Sequence, residues 1–224
     1  TLAALAIEEA VARSGASKDQ IDDVIMGAAL QQGTTGGNIG RLSAMAAGLP
    51  TKVSGMSIDR QCSSGMMAIA TAAKQIICDG MEITIGGGVE AISLVQNEKM
   101  NVHRMVDKAL IAKQPNIYMP MLQTAEVVAK RYNVSREAQD IYALQSQQRT
   151  AAAQQAGKFN DEIIETKTSM GVMDRETKEI SYQDITLNKD QGNRPSSVIE
   201  GLSGLNPVLE NGVITAGNAS QLSD

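Results

Sequence analysis

Along the first part of the chain, apolar positions follow two rhythms. Over 1–13, "TLAALAIEEAVAR", they recur at the three-to-four spacing of an amphipathic helix that closes at Gly15. Ser17 with Gln20 three residues on is a capping-box signature, so a short helical turn is expected to feed a strand over 24–29. "TTGGNIGRLSAMAAGLP" reads as a glycine-rich entry to a helix with Ile39, Leu42 and Ala46 on one face, stopped by Gly48 and Pro50. "KVSGMSID" predicts a strand. Met66, Ile69, Ala70, Ala73 and Ile77 then return to helical spacing, and Gly80 ends that helix. "EITIGGGVEA" predicts a buried strand running into a glycine turn. Alternating helices and strands indicate an α/β architecture.

From about position 92 this periodicity fades. "NEKMNVHRMVDKALIAKQPNIYMPMLQTAE" holds Pro115 and Pro120 and is expected to be extended and looped. "TAEVVAKRY" and "SREAQDIYALQSQQRTAAAQQAG" predict helices, the second capped by Ser135 and stopped at Gly157. "DEIIETKT" and "KEISY" alternate like a small exposed sheet or hairpin, and "GVITAG" resembles a strand. The expected organisation is an α/β part over 1–91, an inserted α+β excursion over 92–211, and a return strand and turn over 212–224. An excursion of that length is usually functional. The chain opens on a helix where a strand is expected and closes directly after a strand-like run, so both ends are expected to be cut.

Composition narrows the function classes. Of the 224 residues 42% are apolar and 20% charged, a balance able to bury a core. Aromatics are only 2%, which argues against the stacking platforms of single-stranded nucleic-acid binders. A net charge of −5 lacks the basic field of a nucleic-acid protein, although one placed arginine suffices for an anionic small ligand. No run reaches the ~18 apolar residues of a membrane span. Two cysteines, Cys62 and Cys78, form neither a disulfide framework nor a metal-ligand pattern, so a reducing intracellular compartment is expected.

Cys62 carries the candidate chemistry. It stands between the strand "KVSGMSID" and the helix beginning near Ser63, where unpaired backbone N–H groups create positive potential. Such a position favours thiolate over thiol and places donors for an oxyanion. Gly65 permits close approach, and Ser63 and Ser64 are tolerated in a first turn. The layout is similar to a strand–nucleophile–helix elbow with altered glycine spacing. A buried, inert cysteine stays open as the alternative. Cys78, in the last turn of that helix, reads as structural. A nucleophilic cysteine needs a base, and the one histidine, His103, reads as a surface residue.

"DRQCSSGMMAI" closely resembles the nucleophile motif of the thiolases, N-R-Q-C-x-S-G-x-x-A-[IV]. "GGGVEAIS", "MPMLQTAEVVAKRYNVSREAQD" and "VITAGNASQLSD" resemble further thiolase segments in the same order, the last broken off at Asp224. The resemblance spans essentially the whole chain. It implies a thiolase-like α/β fold, layered α-β-α-β-α when complete, of which this chain holds the N-terminal half with a mixed sheet plus the inserted loop domain. It implies an acyltransferase in which Cys62 attacks the 3-keto carbonyl of a 3-oxoacyl-CoA and retains the acyl group as a thioester until a second CoA collects it. Arg194 matches an arginine near the adenine and phosphate end of CoA, Ala216 and Ser220 match residues along the pantetheine arm, and Met121 matches an apolar wall near the acyl group. CoA is thus a substrate, with no tightly bound cofactor and no metal, and a homodimer or homotetramer is implied.

Pro120–Met121 is closer to the degradative type than the His-Met of biosynthetic thiolases, which favours fatty-acid β-oxidation in a bacterial-type cytoplasm, with an organelle also open. An acetoacetyl-CoA thiolase and a catalytically incomplete CoA-binding fragment are the alternatives. Leu122–Gln123 replaces a glycine-containing pair, and Ala91–Ile92 replaces Ser-Met. The family's G-H-P histidine, its asparagine and its second cysteine have no counterpart here, so this chain alone is expected to be inactive.

Overall fold

Asp23–Gly27 (β1) is buried at every position, because it is the middle strand of a parallel sheet and both its faces are covered. A computed structural model of the chain describes residues 1–221, which divide into two compact units, 1–103 and 104–221. The sequence reading puts its boundary at 91/92.

In the first unit β1 lies between Ser54–Ile58 (β2) and Thr84–Gly88 (β3), in register from Asp23 opposite Ser54 and Thr84 to Gly27 opposite Ile58 and Gly88. The helices Leu2–Ser14 (α1) and Ile39–Ala46 (α2) cover one face, where Val24 and Met26 pack among Ala3, Ile7, Val11, Ala44, Ala47 and Val53. Ser64–Lys74 (α3) covers the other face, where Ile25 packs on Ala68 and Ala72. Alternate residues of one strand thus feed two hydrophobic clusters. After α3 the helix widens into a π turn over Gln75–Asp79, in which buried Gln75 donates Nε2–H to Asp23 Oδ2 at 2.7 Å. A helical turn, Ile92–Val95 (α4), follows β3.

Glycines set how closely α3 lies on the sheet. A Cβ built on Gly27 would fall inside the backbone of Ser64 and Gly65, and one on Gly86 would stand 2.7 Å from Ile69 Cα. Only glycine lets helix and strand backbones meet so closely. The consequence is that α3 turns its small residues Ala68 and Ala72 to the sheet. The periodic large residues face outward: Met66 and Ile69 of α3 are 74% and 58% exposed, and Ile77 on the following π turn is 79% exposed.

The second unit holds the helices Lys108–Lys113 (α5), Met121–Tyr132 (α6) and Arg136–Gln155 (α7), an antiparallel hairpin of Thr166–Met173 (β4) and Ile180–Leu187 (β5), and a short helix Ile199–Ser203 (α8). Asn133 ends α6 in the left-handed region (φ 53°), and the Ser135 hydroxyl accepts from the Ala138 N–H to open α7. The expected hairpin is present, displaced toward the C-terminus by several residues. The expected strand over 212–217 is not: this run lies in the second unit without ladder bonds, and the Glu126 carboxylate accepts from the Val213 and Ile214 amides instead. A side chain has taken the place of a neighbouring strand. The last three residues of the expected 212–224 segment lie outside the described residues.

Candidate active site

All three parallel strands of the first unit end together at Gly27, Ile58 and Gly88, and the loops beyond those carboxyl ends are where open α/β sheets place ligands. The loop after β2 is drawn into a tight turn by its own side chains. Asp59 Oδ1 accepts from the Gln61 N–H at 2.7 Å. The Ser63 hydroxyl donates to the Arg60 carbonyl at 2.9 Å. Buried Ser64 accepts from the Arg60 N–H at 2.9 Å and donates to the Gln61 carbonyl at 2.6 Å. Gln61 is held at φ 49°, a left-handed conformation that a non-glycine side chain keeps only when its surroundings impose it.

That turn delivers Cys62. It stands one residue before the N-cap Ser63 of α3, outside the helix and exposed, and its thiol has no hydrogen-bond partner among the described residues. The buried placement that the alternative reading required is not what the structure shows. Ser63 and Ser64, read from the sequence as tolerated neighbours, are in fact the clasps of the turn. Cys78, expected as structural, is exposed on the π turn. His103 is exposed as expected.

On the same end of the sheet, Glu90 gathers the loop after β1. Its carboxylate accepts from the Ala29 N–H at 2.7 Å, the Leu30 N–H at 3.3 Å and the buried Thr35 hydroxyl at 3.4 Å.

The other expected site residues lie in the second unit, and all four are exposed. Met121 is the first residue of α6, behind Pro120, and is 77% exposed. Arg194 follows β5, and its guanidinium makes no hydrogen bond or ion pair among the described residues. Ala216 and Ser220 belong to a turn wound around fully buried Thr215. The Thr215 N–H donates to Asn218 Oδ1 at 2.8 Å, and its hydroxyl accepts from the Gly217 and Asn218 amides at 3.2 and 3.3 Å. Gln221 Nε2–H donates to the Gly192 carbonyl at 2.6 Å, so the stretch leading to Arg194 meets the stretch that follows Ser220. Met121 shares its helix with Glu126, which holds 213–214.

A family model described as "Thiolase, N-terminal domain" matches residues 1–224. The chain belongs to the thiolase family. It is 38% identical over its full length to the 3-ketoacyl-CoA thiolase of Bacillus subtilis, covering 56% of that protein. It is 35% identical to the acetyl-CoA acetyltransferase of Cupriavidus necator, covering all of this chain and 57% of that one. A crystal structure of the Bacillus anthracis acetyl-CoA acetyltransferase superposes with a TM-score of 0.79 at 34% identity, over 99% of this chain and 56% of the other. The α/β thiolase-like fold is thereby shown, and this thiolase chain spans about half the length of the relatives it matches. Among the described residues, no helix is long and apolar enough to cross a membrane, and no group of three or more His, Cys, Asp or Glu is placed to hold a metal ion.

The residues that sequence reasoning missed are those that hold others. Gln61, Glu126 and Asp140 lie inside the stretches that carry the resemblance but were not singled out there, and Gln147 lies in no such stretch.

Proposed function

We propose that the protein carrying this chain is an acyltransferase that cleaves 3-oxoacyl-CoA with CoA. The Cys62 thiolate attacks the 3-keto carbon, and the oxygen becomes an oxyanion held by the Cys62 amide. The C2–C3 bond breaks, and its electron pair passes to C2, which is protonated as acetyl-CoA leaves. A CoA thiolate then attacks the Cys62 thioester and departs as an acyl-CoA shortened by two carbons. The observation that carries this reading is an exposed, unpartnered thiol on a strained turn at the carboxyl end of a parallel sheet.

On this reading 92–211 is the CoA-binding insertion. Arg194 meets the adenine and phosphate end of CoA, Ala216 and Ser220 line the pantetheine arm, and Met121 borders the acyl group. CoA is a substrate rather than a resident cofactor, the site needs no metal, and the protein works as a homodimer or homotetramer in the cytoplasm. Cys62→Ser in the whole protein is expected to lower thiolysis by ~10⁴-fold. Mass spectrometry of the wild type quenched during turnover is expected to find the acyl group on Cys62. An acyl group on another residue, or turnover unchanged in the variant, overturns the proposal.

The names of two relatives favour a second reading, acetyl-CoA acetyltransferase on the four-carbon substrate. A kcat/KM profile against chain length separates the two. Activity sustained beyond four carbons supports β-oxidation, and its loss there supports the alternative.

A further inference from the structure

Helix α7 carries polar residues at 136, 140, 147 and 154. Steps of four, seven and seven fall within about 40° of arc at roughly 100° per residue, so the four share one face. Each of them reaches the backbone or side chains of the segments that bear Arg194, Ala216 and Ser220, or of the helix between them.

Asp140 is 1% exposed, and its two oxygens are divided between partners: Oδ2 accepts from Arg136 Nε–H at 2.7 Å, and Oδ1 accepts from Asn218 Nδ2–H at 3.0 Å. The Asn218 amide closes the Thr215 turn from the inside, donating also to the Val213 carbonyl at 3.1 Å. Arg136 donates to the Leu202 and Leu205 carbonyls at 2.8 and 3.0 Å, fixing the end of α8. Seven residues along, Gln147 Oε1 accepts from the Arg194 N–H at 2.8 Å and from Asn193 Nδ2–H at 2.9 Å. Gln154 Nε2–H donates to the Asp190 carbonyl at 3.1 Å. A buried carboxylate with both oxygens occupied is a rigid anchor, since leaving either partner unpaired is costly.

We propose that this face of α7 sets where CoA lies. Asp140 positions the turn of Ala216 and Ser220, and Gln147 positions Arg194. The inference rests on the CoA-binding reading above and adds to it two positioning residues that touch no ligand themselves. Because the two anchors act on different parts of CoA, they are separable. Removal of Gln147 disturbs the grip on the nucleotide end alone, whereas a change at Asp140 disturbs the pantetheine arm as well.

The test compares two thiols in the whole protein: CoA, and pantetheine, which lacks the nucleotide. Gln147→Ala removes both bonds to Oε1 and is expected to raise KM for CoA roughly tenfold, with kcat and the pantetheine kinetics unchanged. Gln147→Glu keeps the acceptor and is expected to restore the CoA KM. Asp140→Asn is expected to raise KM for both thiols. Calorimetric titration of wild type and Arg194→Ala with CoA anchors the series. If wild type binds no CoA, the functional reading falls and this inference with it. If wild type binds and Arg194→Ala weakens binding, but Gln147→Ala leaves the CoA KM unchanged or moves both thiols equally, the positioning role alone is overturned. A Gln147→Glu variant that behaves like Gln147→Ala overturns it too.

Discussion

The two units place their proposed functional residues by different means. In the first, backbone packs on backbone: glycines at 27 and 86 let α3 settle onto the strands, and a turn forced into the left-handed region at Gln61 presents Cys62 ahead of the helix. In the second, side chains hold loops. Glu126, Asp140 and Gln147 reach from helices to the amides and the two asparagines, Asn193 and Asn218, that shape 193–194 and 213–218. Close packing has no slack and tolerates no added atom. Hydrogen-bonded loops can be loosened one contact at a time. Cys62, the proposed nucleophile, is thus set by close backbone packing together with the clasps of its own turn, and the expected ligand contacts by an editable set of longer-range polar bonds.

The sharpest break of this contrast is Gly27→Ala. One methyl group must displace the N-terminus of α3, so a loss of roughly 3 kcal/mol or more is expected in denaturant unfolding, with iodoacetamide labelling of Cys62 altered in rate. A variant as stable as wild type would show that α3 can lift away at no cost. Glu126→Ala comes next. It strips the acceptor from two amides in the second unit, at about 1–3 kcal/mol, and hydrogen exchange at Val213 and Ile214 is expected to accelerate while that of β1 is unchanged.

Gln61→Gly tests the strained turn from the other side. A glycine accepts φ 49° without the left-handed cost, so stability is expected to rise by about 0.5–1 kcal/mol while kcat falls as the turn loosens. Unchanged stability would mean that Asp59, Ser63 and Ser64 already relieve the strain. The smallest effect is at the tip of the hairpin. The Thr177 and Glu176 amides hold the Asp174 carboxyl below its ordinary value, with the Thr177 hydroxyl adding to them against a slight opposing desolvation. A depressed folded-state pKa stabilises the turn above the ordinary aspartate value, and this is lost as pH falls from there through the depressed one. The Thr177 and Glu176 amide shifts are expected to move over that acid interval in wild type by clearly more than in Asp174→Asn.

Much of this was legible in advance. Helices at 1–13 and 135–157, strands around 24, 55 and 85, and the placing of Cys62 at a strand–helix junction all follow from periodicity, caps and glycine stops, which are local. The 212–217 run misled because an apolar, β-branched stretch looks the same whether a strand or a glutamate eighty-seven residues away takes its amides. The clasping roles of Ser63, Ser64, Asp140 and Gln147 were hidden because each depends on which backbone groups the fold leaves unpaired.

What the sequence determined by itself was the order of helices and strands in the first unit, the long helix α7, and that a thiol would stand just ahead of α3. It did not determine which way α3 faces. The apolar stripe of Met66 and Ile69, continued by Ile77 on the π turn, marks a helix, yet the sheet side took Ala68 and Ala72, because the strands beneath offer glycine and no room for longer side chains. Periodicity records that a face is apolar. Only the shape of the opposing surface, assembled from residues far apart in the chain, decides which face fits.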